Sequence, residues 1–351
     1  MLSVLSEPAL AALVGLFGGS LLGLAARFGR FCTLGAIEDA LYQGSTVRLR
    51  MWGVAIGVAV IGSFLLSSRD LINAGASMYL ALAWHPLASI LGGLVFGYGM
   101  ALAGNCGFGA LARLGGGDLR SFVIVLVMGI TAYITVSGPL AAWRVAIWPA
   151  DPGEVRNTGI AHLISHGTGL SVTLIGVVLG IAILLGALAS REFLKSPKTV
   201  FWSVVVGLAI VSGWLGTTWL EYESFGEIPV SSHTFSSPLG ETILYLMTSS
   251  GGGLSFGVGS VAGVLLGAFV GSLIKGHFRW EACEDPRELR RQIIGAALMG
   301  VGAVVAMGCT VGQGLSAFSL LAISAPVTMA AVFAGAAFGL RQLIEGFAIA
   351  E

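Results

Sequence analysis

Apolar residues fall into nine runs of about twenty, near 8–26, 47–66, 87–104, 119–138, 168–190, 199–220, 254–274, 288–307 and 325–345. Wound as a helix, a run of that length matches the hydrocarbon thickness of a bilayer. The pattern therefore predicts nine spanning helices. Four shorter apolar segments, near 33–43, 107–115, 238–249 and 311–321, adjoin glycine-rich breaks. They are too short to cross and predict re-entrant or broken helices. Such backbone survives at membrane depth only where it is buried in protein or lines a polar cavity. Before the first run there is no Lys or Arg, and Glu7 stands where a secretory leader would be basic. The first run is expected to be a retained span.

Composition agrees with this reading and excludes others. Hydrophobic residues make up 56% of the 351 and charged residues 10%, against about 25% charged in a soluble domain. So much apolar surface with so little charge excludes an ordinary soluble enzyme and a disordered chain, and zero net charge with no basic block excludes a nucleic-acid binder. The fold class expected is an all-α polytopic membrane protein.

Charge also predicts orientation. With nine crossings, one set of loops collects 13 of the 18 basic residues. The other set holds only Arg69, Arg144 and Arg156, and Arg27 and Arg30 beside the first break are left out. The positive-inside rule makes the first face cytoplasmic. The N-terminus is then periplasmic and the C-terminus cytoplasmic.

Glycine supplies 53 of the 351 residues, and part of it is ordered. Gly92, Gly97, Gly99, Cys106 and Gly109 recur 203 positions later as Gly295, Gly300, Gly302, Cys309 and Gly312. Gly18, Gly23, Cys32 and Gly35 repeat the frame G-x4-G-x8-C-x2-G near the start. A degraded fourth copy runs from Phe235 to Gly240, with Ser236 in the cysteine's place. Two such units make each half: 1–140 with the Cys32 and Cys106 motifs, and 199–351 with Ser236 and the Cys309 motif. Residues 141–198 hold a connecting loop and a central span. One extra crossing between the halves inverts the second relative to the first, the logic of inverted-repeat transporters.

Each of the three cysteines precedes a short helix. Helix N-termini carry unpaired N–H groups and partial positive charge, which suits an anion. A thiol there is a weak donor or, if deprotonated, a nucleophile. Three such thiols suit transfer of a soft, sulfur-bearing anion. The plain alternative is that each cysteine is a small apolar filler. A disulfide would leave one of the three unexplained, and zinc would want co-ligands these motifs lack. Cys283, between Glu281 and Asp285, reads as an ordinary free thiol.

The strings Arg30-Phe31-Cys32-Thr33-Leu34-Gly35, Gly104-Asn105-Cys106-Gly107-Phe108-Gly109 and Gly308-Cys309-Thr310-Val311-Gly312-Gln313-Gly314 resemble those of the YeeE/YedE family of sulfur transporters. The resemblance covers nearly the whole chain. It implies thiosulfate uptake across the bacterial inner membrane by an hourglass-shaped protein of nine spanning and four short helices. It implies that Cys32, Cys106 and Cys309 hold thiosulfate through S–H···S hydrogen bonds and relay it inward. A cytosolic TusA-like sulfur carrier is the partner it suggests. Some relatives are tied to selenium metabolism or sulfur oxidation. The segment 143–166 is longer than the family leads one to expect.

Secondary candidates flank the motifs. Arg27 and Arg30 either attract the anion or snorkel to headgroups. Glu38 and Asp39, ionisable at membrane depth, are functional candidates or partners of those arginines. Asn105 and Gln313 either donate N–H groups to an anion or satisfy the broken backbone. Ser236 is a candidate hydroxyl donor in the fourth break. His162 and His166 read as an incidental pair, and six tryptophans, Trp52 and Trp202 among them, as an interfacial belt. No cofactor or metal is expected, no Walker motif occurs, and the chain is not expected to be an enzyme. A general small-anion channel with structural cysteines is one alternative. A membrane redox subunit is another, although all five histidines fall in predicted loops or span ends.

Overall fold

The computed structural model describes residues 6–149, 159–250, 253–282 and 285–346. The chain opens with α1 (Glu7–Phe28), α2 (Thr33–Glu38) running on as a π turn over Asp39–Gln43, and α3 (Val47–Ser67). Next come α4 (Met78–Ala81), α5 (Pro86–Ala103), α6 (Gly107–Leu114), α7 (Leu119–Val136) and α8 (Ala141–Ile147). A connecting region holds α9 (Ile160–Thr168), α10 (Val172–Leu188) and α11 (Arg191–Leu194). The last part is α12 (Pro197–Glu223), α13 (Ser237–Thr248), α14 (Phe256–Ile274), α15 (Pro286–Val305), a π-wound stretch Gly312–Ala317 and α16 (Ser324–Glu345). Prolines start α5, α12 and α15, where the missing N–H costs nothing and the fixed φ suits the first turn.

Every predicted apolar run coincides with one of these helices, and every predicted short segment with a short one. Seven stretches among the described residues are long and apolar enough to cross a membrane. Two of them, Glu7–Gln43 and Pro86–Leu114, each include a break and the short helix after it. The chain is a multi-pass membrane protein. Two predicted spans fall outside the seven. α10 has only 17 residues, and α15 opens on Arg287, Glu288, Arg290 and Arg291, which shortens its apolar part.

The packing pairs follow a simple exchange. α1 lies on α14 as α12 lies on α3, and α5 lies on α16 as α15 lies on α7. α13 meets α7 as α2 meets α16. The self-paired contacts are α1 with α12 and α5 with α15. α10 packs on α3 and stands outside this exchange.

Glycines of the repeated frame explain how closely these helices approach. A Cβ on Gly99 would sit 2.6 Å from the Gly295 carbonyl, and one on Gly295 would sit 2.5 Å from the Gly99 carbonyl. Gly92 and Gly302 face each other in the same reciprocal way, at 2.8 and 2.7 Å. The backbones of α5 and α15 touch, which is how helices gain attraction where lipid offers no hydrophobic drive. α1 and α14 repeat the device, with a Cβ on Gly15 falling 2.8 Å from Ser260 N and one on Gly263 falling 2.8 Å from Ser20 N.

Candidate functional site

The three cysteines sit in equivalent backbone positions. Their carbonyls accept the N–H four residues on: Ala36 to Cys32 at 3.2 Å, Ala110 to Cys106 at 2.8 Å and Gln313 to Cys309 at 2.8 Å. Each cysteine thus caps the N-terminus of a short helix. Ser236 holds the cap position of α13. The turn into each cap is also shared. The residue two before each cysteine is left-handed: Arg30 at φ 56°, Gly104 at φ 75° and Met307 at φ 57°.

Two of the thiols close the cap with their own sulfur. Cys106 Sγ accepts from Gly109 N–H at 3.4 Å and Cys309 Sγ from Gly312 N–H at 3.5 Å. This gives the C-x2-G spacing a physical cause, because the third helical N–H is the one a capping side chain reaches. The glycine there leaves room for neighbours. A Cβ on Gly109 would meet Asn105 Oδ1 at 3.2 Å, and one on Gly312 would meet Thr234 Oγ1 at 2.5 Å.

The breaks then join one another. Cys309 Sγ accepts from Phe235 N–H at 3.2 Å and lies 3.7 Å from Thr234 Oγ1. Cys106 Sγ lies 4.0 Å from Thr33 Oγ1, the residue after Cys32. Cys106 is also within electrostatic reach of Cys32 and Cys309, Cys32 more strongly. Cys106 and Cys309 are fully buried, whereas Cys32 is half-buried. The rings of Phe108 and Phe235 lie 5.4 Å apart beside them and are also fully buried.

Two cavities lie at opposite ends of α1 and α14. The wide one, about 600 Å³, is lined by Tyr79, Trp84, His85, Arg144, Glu227, Thr234, Ser236, Glu241, Met307 and Gly308 among others. The other, about 440 Å³, is lined by Arg27, Arg30, Cys32, Glu38, Arg48, Asn105, Arg113, Lys275 and His277 among others. It is strongly basic: five fixed cations face one carboxylate, Glu38. Burial, then repulsion by Arg30, Arg27 and Lys198, holds the Lys275 ammonium below the usual lysine range. An anion bound there would relieve that repulsion.

A family model described as sulphur transport matches residues 28–338, a stretch that contains all three cysteine caps. The chain belongs to the sulphur-transport family. It is similar to the thiosulfate transporter TsuA of Spirochaeta thermophila, 28% identical over 318 residues, 88% of this chain and 92% of that one. It is also similar to the thiosulfate transporter TsuA of Escherichia coli, 25% identical over 336 residues, 86% of each chain. This family member is a transporter and not an enzyme.

In this sulphur-transport protein the secondary candidates divide. Arg27, Arg30, Glu38 and Asn105 line the basic cavity with Cys32. Ser236 lines the wide one. Gln313 is turned to the backbone: its amide N–H groups go to the carbonyls of Ala306 and Met307 at 2.9 and 3.2 Å, and its oxygen accepts from Ser324 at 3.2 Å. Asp39 pairs with Arg48 at 3.2 Å and not with Arg27 or Arg30. Arg27 donates instead to Ser272 Oγ at 2.6 Å. Trp52 is buried and stacks on Phe31 at 4.7 Å, so it belongs to the core and not to an interfacial belt. His162 and His166 share α9. Cys283 and residues 150–158 of the long segment lie outside the described residues.

Sequence reasoning missed Tyr79, Thr234, Arg48, Arg113 and Lys275. None belongs to the repeated frame. Thr234 alone carried a signal, as the residue before Phe235 in the degraded fourth copy.

Proposed function

We propose that this protein takes up thiosulfate, or a closely related sulfur anion, across the bacterial inner membrane. The anion passes from the wide cavity to the basic one by way of Cys309, Cys106 and Cys32 in that order. One observation supports the reading: Cys32 lines the basic cavity, Thr234 beside Cys309 lines the wide one, and Cys106 neighbours the Cys32 break through Thr33.

The chemistry follows from the hydrogen bonds. The Cys309 sulfur already accepts the N–H groups of Phe235 and Gly312. With two N–H groups on the sulfur, its own S–H is the donor that remains, directed to Thr234 Oγ1 at 3.7 Å or to a bound anion. The Cys106 sulfur accepts from Gly109 N–H and has Thr33 Oγ1 at 4.0 Å, a long contact that an anion's sulfur can replace. A thiosulfate ion offers a soft terminal sulfur to these donors and is passed by S–H···S hydrogen bonds without a covalent step. Secondary path residues are Ser236 at the wide cavity, and Asn105, Arg27, Arg30 and Glu38 at the basic one. Gln313 supports the Cys309 break.

The architecture proposed is an hourglass of nine spanning helices and four short ones. Residues 1–140 and 199–351 form two inverted halves, with 141–198 as the connector. The exchangeable packing pairs and the shared cap geometry support it. The basic cavity faces the cytoplasm, in line with the sorting of basic loop residues. The N-terminus is periplasmic and the C-terminus cytoplasmic. A cytosolic TusA-like sulfur carrier is the partner on that side, and consumption of the anion inside the cell draws transport on.

The deciding experiment is uptake of radiolabelled thiosulfate in cells lacking other routes, with sulfate, sulfite and selenium oxyanions as competitors. Wild type is compared with C32S, C106S and C309S at equal expression. Loss of uptake in the three variants is expected. Normal uptake in all three sinks the relay, and broad anion conductance surviving the changes would favour a general anion channel instead.

A further inference from the structure

The wide cavity differs from the basic one in how it can recognise an anion. Its fixed charges are Arg144 against Glu227 and Glu241. Arg144 is itself committed to the carbonyls of Thr135 and Val136, at 3.2 and 3.5 Å. Net positive charge is not what would select an anion there. Neutral donors remain.

Two such donors stand against the Cys309 thiol. Thr234 Oγ1 lies 3.7 Å from Cys309 Sγ. The Tyr79 hydroxyl is hydrogen-bonded to Thr234 and interacts with Cys309. Both residues line the cavity wall. Gly312 makes room for them, since a Cβ there would meet Thr234 Cβ at 3.1 Å and the Tyr79 hydroxyl at 3.1 Å. The Tyr79 ring is fixed edge-on against Trp214, at 6.4 Å between centroids, and Trp214 is pinned by its Nε1–H to Ser319 Oγ at 2.9 Å. At Cys106 the corresponding places are taken by Thr33 and Asn105.

We propose that Tyr79 is a specificity-determining residue: with Thr234 it reads the oxygen end of the anion at an entry station whose sulfur-reading group is Cys309. The inference rests on the thiosulfate reading above and deepens it. A hard donor pair beside a soft donor fits an anion whose sulfur and oxygens share one central atom. Sulfate lacks the soft end, and hydrosulfide lacks the hard one. Discrimination is set where the substrate first meets the path, because only an anion with both a sulfur and oxygens engages the Cys309 thiol and the Tyr79–Thr234 pair together.

The test is the concentration dependence of labelled thiosulfate uptake in Y79F, T234V and T234S at equal expression. Y79F keeps the ring and its packing on Trp214. The expected result is a KM raised about tenfold in Y79F and in T234V, with maximal rates close to wild type. T234S keeps the hydroxyl and stays near the wild-type KM. The double variant Y79F/T234V is no worse than about the worse single one, because the two hydroxyls act as a unit. A wild-type KM in Y79F overturns the proposal. So does a fall in maximal rate with KM unchanged, or a T234S as impaired as T234V, since either assigns the pair a purely structural role. In those cases wild-type uptake still stands. A wild type that takes up no thiosulfate overturns the broader reading together with this one.

Discussion

The Cys309 sulfur accepts the backbone N–H of Phe235 at 3.2 Å, across 74 residues of sequence. This bond joins the third cysteine break to the degraded break that has serine in the cysteine's place. Side chains of the Cys309 break thus satisfy backbone groups of the other break, which neither lipid nor water would reach. Ser316 adds a second tie, donating to the His233 carbonyl at 2.6 Å. The His233 imidazole in turn meets Ser260 Oγ at 2.6 Å and anchors this break to α14. The position of the Cys309 thiol is therefore set by three separate segments.

Replacing Cys106 by serine separates capping from thiol chemistry. Serine is a preferred cap, so folding should change by no more than about 1 kcal/mol. Uptake should fall by at least about tenfold, because the hydroxyl is a poor partner for a soft sulfur. Thermal unfolding in detergent beside uptake checks both halves of this expectation.

Gly99→Ala and Gly295→Ala each force a methyl into the facing backbone carbonyl, 2.6 and 2.5 Å from the new Cβ. Each should cost about 1–3 kcal/mol, the usual range for overpacking. The two changes disturb one contact, so the double variant should fall short of the sum. Unfolding midpoints of the purified protein measure this.

Gly104→Ala isolates the left-handed turn. A Cβ there meets nothing within 4 Å, and the strain is that of φ 75° alone. The expected loss is about 1–2 kcal/mol. Met307→Gly at the equivalent turn should be neutral or stabilising once its lost side-chain packing is allowed for. A G104A variant as stable as wild type would contradict the account.

Arg113→Gln removes a cation from the basic cavity without touching a cap. Uptake at low ionic strength should drop about threefold, and the deficit should shrink in high salt as the remaining field is screened. A salt-independent deficit would point to packing and not to charge.

Much of this protein is written in its sequence. Apolar length alone located the long helices, since a lipid-facing helix has no other way to satisfy its backbone. The cysteine frame located the breaks and the caps, because capping is local and fixes which residue stands three places on. Other relations were not legible. The left-handed residue before each cap is Arg30, Gly104 or Met307, three residue types with one backbone conformation. Asp39 finds Arg48 instead of Arg30, which is equally far along the chain, a choice made by how α2 turns into its π extension beside α3. Tyr79 comes from a short loop helix with no motif, and only packing on Trp214 brings its hydroxyl to Thr234. The sequence by itself determined a multi-pass helical protein with three like-built thiol caps, since local hydrogen bonding and hydropathy act over a few residues. Only the tertiary structure decided that Cys309 meets the Phe235 break, that Thr33 comes to Cys106, that Tyr79 comes beside Thr234, and that positive charge gathers at one end, because those relations are made by segments far apart in the chain.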